Sequence, residues 1–266
     1  MEKIAGTTAF VTGGASGIGL AIAAALIEEG ARVMIADVNQ AALDRAVLGL
    51  GPSAAAFCLD VRDRDGWADA RHAVEARFGP VDILINNAGI GPDGHALADM
   101  DAVSFDRMVA IKLTGTFNGI AAFGARMRAR GSGHIVNTAS MAGLMAIPKL
   151  GAYTAAKFAV VGMSEVLRAE MAPHGIGVSV LCPGLVRTNL GVNTQLAGSD
   201  RIVPDQSSAE AGLDAAVVGA LVIEGIRTNA MHIITHGDGR RYVEKRMARV
   251  LAAFDCVPVH AANAPT

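Results

Sequence analysis

Seven short runs of β-branched and apolar residues recur along the chain, at 7–12, 32–37, 54–61, 81–86, 134–140, 177–183 and 231–236. Most are apolar at consecutive positions, the pattern of parallel strands covered by helices on both faces. Between them, apolar positions return every three or four residues, as at 18–29 and 41–49, which predicts helices. Strand and helix alternating in this way predict an α/β fold with a doubly wound parallel sheet. No linker, repeat or low-complexity segment interrupts the order, so one domain is expected over residues 1–254. Residues 185–212 break the alternation and read as a long loop or lid. Residues 240–254 have the periodicity of one last helix, and the Ala/Pro-rich residues 255–266 read as a fraying tail.

The length of 266 residues suits a single large α/β unit. Apolar residues make up 52% of the chain and charged ones 18%, which excludes a disordered or fibrous protein. The formal net charge of −2 gives no electrostatic reason to expect nucleic acid or an anionic membrane as partner. Cys58, Cys182 and Cys256 are odd in number, widely spaced and in no CxxC pair, which argues against a disulfide framework and a zinc site. No HExxH or comparable cluster calls for a metal, and His236 has no second group placed to work with it. The first residues, MEKIAGTTAFVTGG, lack the apolar core of a signal peptide, and no eighteen-residue window is uninterruptedly apolar. A soluble protein of the reducing cytoplasm is expected.

The first predicted strand runs into TGGASGIG at 12–19 and then into a helix. Gly13, Gly17 and Gly19 permit a tight turn and a close backbone approach by a ligand, with Ser16 and Ile18 between them. The helix start offers unpaired N–H groups to a pyrophosphate. Asp37 closes the second strand, followed by Val38. A carboxylate there accepts hydrogen bonds from ribose hydroxyls and repels a 2′-phosphate. With no Arg or Lys at 14–16, the pattern favours NAD over NADP.

YTAAK places Tyr153 and Lys157 four residues apart, on one face of a predicted helix. A phenol with its ordinary pKa of about 10 is a poor acid or base near neutrality, and a neighbouring lysine cation favours the phenolate. Ser140 ends a predicted strand upstream, at the sheet edge where such folds bind ligands.

With these motifs in order, the chain resembles the short-chain dehydrogenase/reductase family, in its branch of about 250 residues, over nearly its whole length. TGGASGIG is similar to the family's TGxxxGxG loop, and Asp60 with Val61 to the pair that holds the adenine. Asn87, Ala88 and Gly89, within NNAG, resemble the sheet-stabilising motif beside the cofactor. Pro183, Gly184, Val186 and Thr188, within PGLVRT, resemble the segment that contacts the nicotinamide. Ser140, Tyr153 and Lys157 fall at the spacing of the catalytic serine, tyrosine and lysine. The resemblance implies a Rossmann-type, mostly parallel seven-stranded sheet and an NAD-dependent oxidoreductase interconverting a secondary alcohol and a ketone. Tyr153 would give or take the proton, Ser140 would bond the substrate oxygen, and Lys157 would bind the nicotinamide ribose. It also implies a homotetramer, or a homodimer, built on the helices bearing Lys112 and YTAAK, with Gly115 and Gly119 compatible with close helix packing.

One position departs from the family pattern. N-x-x-G on the central helix reads KLTG here, so Lys112 stands where a fourth catalytic residue, an asparagine, is expected. Three readings compete: the ammonium takes over the asparagine's contacts and shifts the pH profile; turnover is crippled and an NAD(H)-binding protein, regulatory or engineered, remains; or the side chain snorkels to solvent. Lys112 shares a helical face with Phe105, Met108, Gly115 and Gly119, which favours burial. For the substrate, Met141, Ala142, Met145, Leu150, Leu185 and Leu190 suggest an apolar pocket and a hydrophobic or aromatic alcohol or ketone; Leu144, Val192 and Leu196 add to the apolar character. Arg187 suggests a carboxylate or, more simply, solvent. The end ITHGDGRRYVEKRMARVLAAF resembles the tail of family members that oxidise benzylic alcohols from lignin fragments. A nucleotide-sugar epimerase is disfavoured by the glycine spacing and the lack of a separate substrate domain.

Overall fold

A computed structural model describes residues 1, 3–188, 190, 194, 212–255 and 257. Val192, Leu196, Cys256 and most of the expected lid and tail lie outside the described residues.

The described residues form one sheet of seven strands, all pairs parallel, in the order β3-β2-β1-β4-β5-β6-β7. The strands are β1 (Thr8–Thr12), β2 (Arg32–Asp37), β3 (Ala54–Cys58), β4 (Ile83–Asn86), β5 (Gly133–Thr138), β6 (Ile176–Cys182) and β7 (His232–Ile234). Each overlaps a run read from the sequence. The helices between them are α1 (Gly17–Glu28), α2 (Gln40–Leu50), α3 (Arg64–Phe78), α4 (Ala102–Val109), α5 (Gly115–Arg130), α6 (Gly151–Met171) and α7 (Ala215–Arg227).

The two faces of the sheet explain why the strands are apolar at every position. Side chains alternate along a strand, and here both sets are buried. Ala9 and Val11 of β1 join one core with Ile22 and Leu26 of α1 and Val218 and Val222 of α7. Phe10, between them, joins the opposite core with Trp67 of α3 and Phe123 of α5. Its ring centroid lies 5.8 Å from Trp67 and 5.2 Å from Phe123. A fully buried side chain of this size contributes about 1.5–3 kcal/mol.

Local signals set the helix ends. Asn39 caps α2 by accepting from Ala42 N–H at 3.0 Å, and Asp63 caps α3 by accepting from Asp65 N–H. Gly79 ends α3 with φ of 94°, a conformation that favours glycine.

α4 and α5 are joined through a π-helical turn, Ala110–Thr114, so the helical run is continuous from Ala102 to Arg130. By length and composition that run could cross a bilayer. Here its apolar positions Met108, Phe123 and Met127 are buried inside the protein. Gly115 and Gly119 permit close packing within this chain. A Cβ on Gly115 would lie 2.6 Å from Val61 Cγ2, and one on Gly119 would overlap Asn86 Oδ1 and stand 2.9 Å from Trp67 Cη2.

The chain divides into two compact units, Met1–Thr235 and His236–Thr266. The whole sheet belongs to the first. The second holds a short turn, Gly237–Gly239, and the helix α8 (Arg240–Phe254), which has the span read from the sequence and carries no buried residue.

Gly119→Ala should lower the denaturation midpoint, at a cost of about 1–3 kcal/mol, because the new methyl has no space beside Asn86. An unchanged midpoint in urea would refute this close approach of α5.

Candidate active site

In the strand order, β1 is flanked by β2 on one side and β4 on the other, so successive crossovers leave it in opposite directions. Ligands of doubly wound sheets bind at the carboxyl ends of the strands at such a point. The predicted residues lie on the segments that leave those ends.

The glycine loop joins β1 to α1. Gly13 and Gly17 have φ of 62° and 53°. A Cβ on Gly13 would lie 2.8 Å from Ala88 Cα, and one on Gly19 would overlap the carbonyl oxygen of Gly13. Any larger residue would displace the loop from the helix start. The cradle therefore fits a pyrophosphate, with the first N–H groups of α1 turned to it. Thr188 belongs to the same place, because a Cβ on Gly17 would lie 3.1 Å from its Cβ. Ser16 is the residue before the first turn of α1, and Ile18 follows Gly17 within it.

Asp37 ends β2, and its carboxylate accepts from Asn39 N–H at 3.1 Å; Val38 beside it is 65% exposed. Asp60 is gripped by Arg62, whose hydrogen bond holds its carboxyl below the usual range. Val61 is buried, and its carbonyl accepts from Trp67 Nε1 and Asn118 Nδ2, both at 2.9 Å.

The loop after β4 is tied to β1. Asn87 and Ala88 donate their backbone N–H groups to Thr12 Oγ1 at 2.9 and 3.1 Å. Asn87 Nδ2 donates to the Thr12 carbonyl at 3.1 Å. Deeper, Asn86 Nδ2 donates to Asn137 Oδ1, and Asn137 Nδ2 donates to Ser164 Oγ on α6. Sequence reasoning missed Thr12, Asn137 and Ser164 as supports, because their roles depend on strands adjacent only in space.

Ser140 follows β5. Its hydroxyl donates to the Pro183 carbonyl at 3.3 Å and accepts from Ala142 N–H at 3.1 Å. Gly184 N–H donates to Thr235 Oγ1, and Val186 bridges to Leu213. Lys157 is buried on α6, and its ammonium donates to the Thr138 carbonyl at 2.6 Å. Thr138, two residues before Ser140, was also missed.

Tyr153 is partly exposed at the start of α6. Burial pushes its phenol up, and a hydrogen bond with Ser140 acts the other way. The drop expected from YTAAK is therefore not found: loss of hydration is the larger influence on the phenol, opposed by Ser140.

Lys112 lies in the π turn and is 4% exposed. Its Nζ stands 4.9 Å from the Tyr153 ring centroid, and Lys157 Nζ stands 5.7 Å from the same ring. The side chain does not snorkel to solvent. Of the face read from the sequence, Met108, Gly115 and Gly119 are buried, whereas Phe105 is exposed. A π turn adds a residue to the helical repeat and shifts the face.

The expected substrate residues separate. Met141 and Ala142 are buried, Met141 in a core with Val160, Val161 and Cys182. The backbone of Met141 donates to the Pro183 carbonyl and leaves its side chain on the core side. Met145, Leu150 and Leu190 keep partial exposure and Leu185 is exposed. Leu190 lies beside Gly91, whose N–H donates to Thr194 Oγ1 at 2.6 Å. Arg187 pairs with Asp214 at 2.8 Å, which accounts for its charge without a substrate carboxylate. Among the described residues, no group of three or more His, Cys, Asp or Glu could hold a metal ion, and His236 begins the second unit.

Comparison with known proteins agrees with this geometry. A family model described as short chain dehydrogenase matches residues 7–197. C alpha-dehydrogenase of Sphingobium is 32% identical over 94% of this chain and 87% of its own length. The 2-(S)-hydroxypropyl-CoM dehydrogenase 3 of Xanthobacter autotrophicus is 41% identical over 71% of this chain and 75% of its own. A short chain dehydrogenase/reductase from Burkholderia phymatum, solved in complex with NAD, superposes with a TM-score of 0.88. It is 28% identical, with 99% of this chain and 100% of that chain covered. Of some longer mycobacterial oxidoreductases, 41% identical, the chain spans 32% of the length.

The buried amines predict a pH-dependent stability. Burial lowers Lys157 to about 8 and holds Lys112 well below the ordinary lysine value. Their folded pKa values lie below the unfolded ones, so the unfolded chain binds more protons in the window up to about 10.5. Stability contributed through these groups therefore rises with pH across that window. Lys112→Met should be more stable than the parent at pH 7, with the gap closing as pH rises toward 10. Thermal melts with a gap independent of pH would count against a buried amine.

Proposed function

We propose, because this chain belongs to the short-chain dehydrogenase family, that it is an NAD(H)-dependent oxidoreductase interconverting a hydrophobic or aromatic secondary alcohol and its ketone. The observation that carries the proposal is the junction of the glycine cradle with the Ser140, Tyr153 and Lys157 segments at one edge of the sheet. The nicotinamide, when bound, supplies the hydride acceptor for alcohol oxidation or the donor for ketone reduction.

The chain's own residues do the rest. Gly13, Gly17, Gly19 and the start of α1 receive the pyrophosphate. Asp37 accepts from the adenosine ribose hydroxyls, and its charge disfavours a 2′-phosphate. Val38, Asp60 and Val61 flank the adenine side, while Asn87, Ala88 and Gly89 and the 183–188 segment flank the nicotinamide side. Tyr153 takes the hydroxyl proton of the alcohol, or returns it to the ketone oxygen. Ser140 donates to that oxygen as negative charge develops. Lys157, fixed on the Thr138 carbonyl, holds positive charge beside the phenol and favours its ionisation.

The partly exposed Met145, Leu150, Leu185 and Leu190 support a hydrophobic substrate. The likeness to C alpha-dehydrogenase, over 94% of this chain, supports an aryl-substituted alcohol. Exposed Phe117 on α5 and Val166 on α6 support a homotetramer or homodimer that covers them. A cytoplasmic enzyme without nucleic-acid or membrane partners completes the reading. A non-catalytic NAD(H)-binding protein is not favoured, since Ser140, Tyr153 and Lys157 are all present and the relatives are dehydrogenases.

The test is to mix the protein with NAD and a panel of aryl and alkyl secondary alcohols and follow reduced-nicotinamide absorbance. Turnover is expected, and Tyr153→Phe should lose about 10²–10⁴-fold in kcat while still binding NAD by calorimetry. No turnover across the panel, or full activity in Tyr153→Phe, would overturn the reading. Asp37→Ser should narrow the preference for NAD over NADP, read as the ratio of kcat/KM values; an unchanged ratio would remove Asp37 from cofactor choice.

A further inference from the structure

Two lysines share the interior of this site, with no carboxylate among the described residues paired to either. Lys112 and Lys157 are 4% and 3% exposed, and both stand over the Tyr153 ring. Both Nζ atoms thus occupy one buried space against that ring. Lys157 also donates to the Thr138 carbonyl. Lys112 enters from the π turn into space that position 89 leaves open, since a Cβ on Gly89 would overlap its Nζ.

Among the described residues, the surrounding titratable groups do not neutralise the pair. On α6 they are Tyr153 and Lys157, and on β6 the Cys182 thiol, which burial pushes up to about 12 and so keeps neutral. On α4, Asp106 is exposed and Arg107 donates to Ser104. In the loop after Gly89, Asp93 accepts from His95 N–H.

Two ammonium groups confined to one desolvated space repel, and since an ammonium has three donors and no acceptor neither can satisfy the other. The arrangement is relieved when one of the two is an amine. Lys157, anchored on a carbonyl that accepts its proton, is the donor.

We propose that Lys112 is a neutral amine that accepts a hydrogen bond from the Lys157 ammonium, so that the pair holds one exchangeable proton and Lys112 acts as the positioning residue and proton reserve of Lys157. This rests on the reading of Tyr153 and Lys157 as the proton-handling pair. The step is a transfer within the pair: an N–H bond on Lys157 breaks as one forms on Lys112, and the total charge is unchanged. Lys157 is then free to take up the proton that Tyr153 gathers from substrate, with no oxidant or reductant required. The direction of the titrations agrees. Burial first, then the Lys157 charge and the bond to it, lower Lys112. Burial lowers Lys157, while the Cys182 sulfur and, less strongly, its bond to Lys112 act to raise it.

The chain has five lysines, which makes a direct titration feasible. Lysine-labelled protein, without cofactor or substrate, is titrated by heteronuclear NMR of the side-chain Cε and Nζ. Lys112 should deprotonate first and Lys157 next. In Lys112→Met the lowest transition should vanish and the Lys157 midpoint should shift down, because its acceptor is lost. Lys112→Gln, whose amide oxygen accepts, should return that midpoint toward the parent. An upward shift of Lys157 in Lys112→Met is what a second ammonium would produce, and would overturn the proposal. So would Lys112 titrating after Lys157 in the parent, a result that needs no variant to fold. In the active enzyme, Lys112→Gln should shift the pH profile of kcat, since glutamine accepts a bond but stores no proton; coincident profiles would overturn the reserve role. The titration uses no substrate, so an error in the proposed reaction would abolish turnover and leave the order of deprotonation intact.

Discussion

Two backbone N–H groups leaving β4, those of Asn87 and Ala88, donate to the hydroxyl of Thr12 at the end of β1. These bonds close the sheet where its winding reverses, and the site is arranged around them. They seat Ala88 within reach of Gly13, so only a glycine fits there. The loop that must approach a pyrophosphate is thus shaped from behind by the strand next door. The Asn86–Asn137–Ser164 chain of hydrogen bonds continues the tie through β5 to α6, the helix that carries Tyr153 and Lys157. The glycine loop and the segments bearing Ser140, Tyr153 and Lys157 are held in one frame by these hydrogen bonds.

The second constraint is electrostatic. Lys157 is seated on a backbone carbonyl rather than on a carboxylate. A carbonyl supplies partial charge and geometry but does not hold an ammonium as firmly as a buried ion pair, so the amine stays within reach of deprotonation near neutral pH. Lys112 in the same interior lowers the number of protons the site can hold. The π turn matters here because it presents Lys112 and then lets α5 resume its packing against Val61, Trp67 and Asn86.

Much of this was legible in the residue order. The strands announced themselves because both faces of a covered parallel sheet are apolar, and the loop 12–19 because its glycines fall between a strand and a helix. Ser140, Tyr153 and Lys157 were legible through spacing. Met141, read as lining a pocket, packs with Val160, Val161 and Cys182, since an apolar residue beside Ser140 can face the core as readily as a pocket. Gly115 and Gly119 read as a helix contact, but their partners, Val61, Trp67 and Asn86, lie within the chain.

The sequence by itself determined the sheet and the glycine loop at 12–19, and singled out Ser140, Tyr153 and Lys157, because each depends on local periodicity or on spacing along the chain. Only the tertiary structure decided that Lys112 is buried beside the Tyr153 ring, that burial raises the Tyr153 phenol, and that Arg187 is engaged by Asp214. Those outcomes depend on which groups from distant segments share a low-dielectric space, and desolvation acts on the assembled neighbourhood rather than on any stretch of chain.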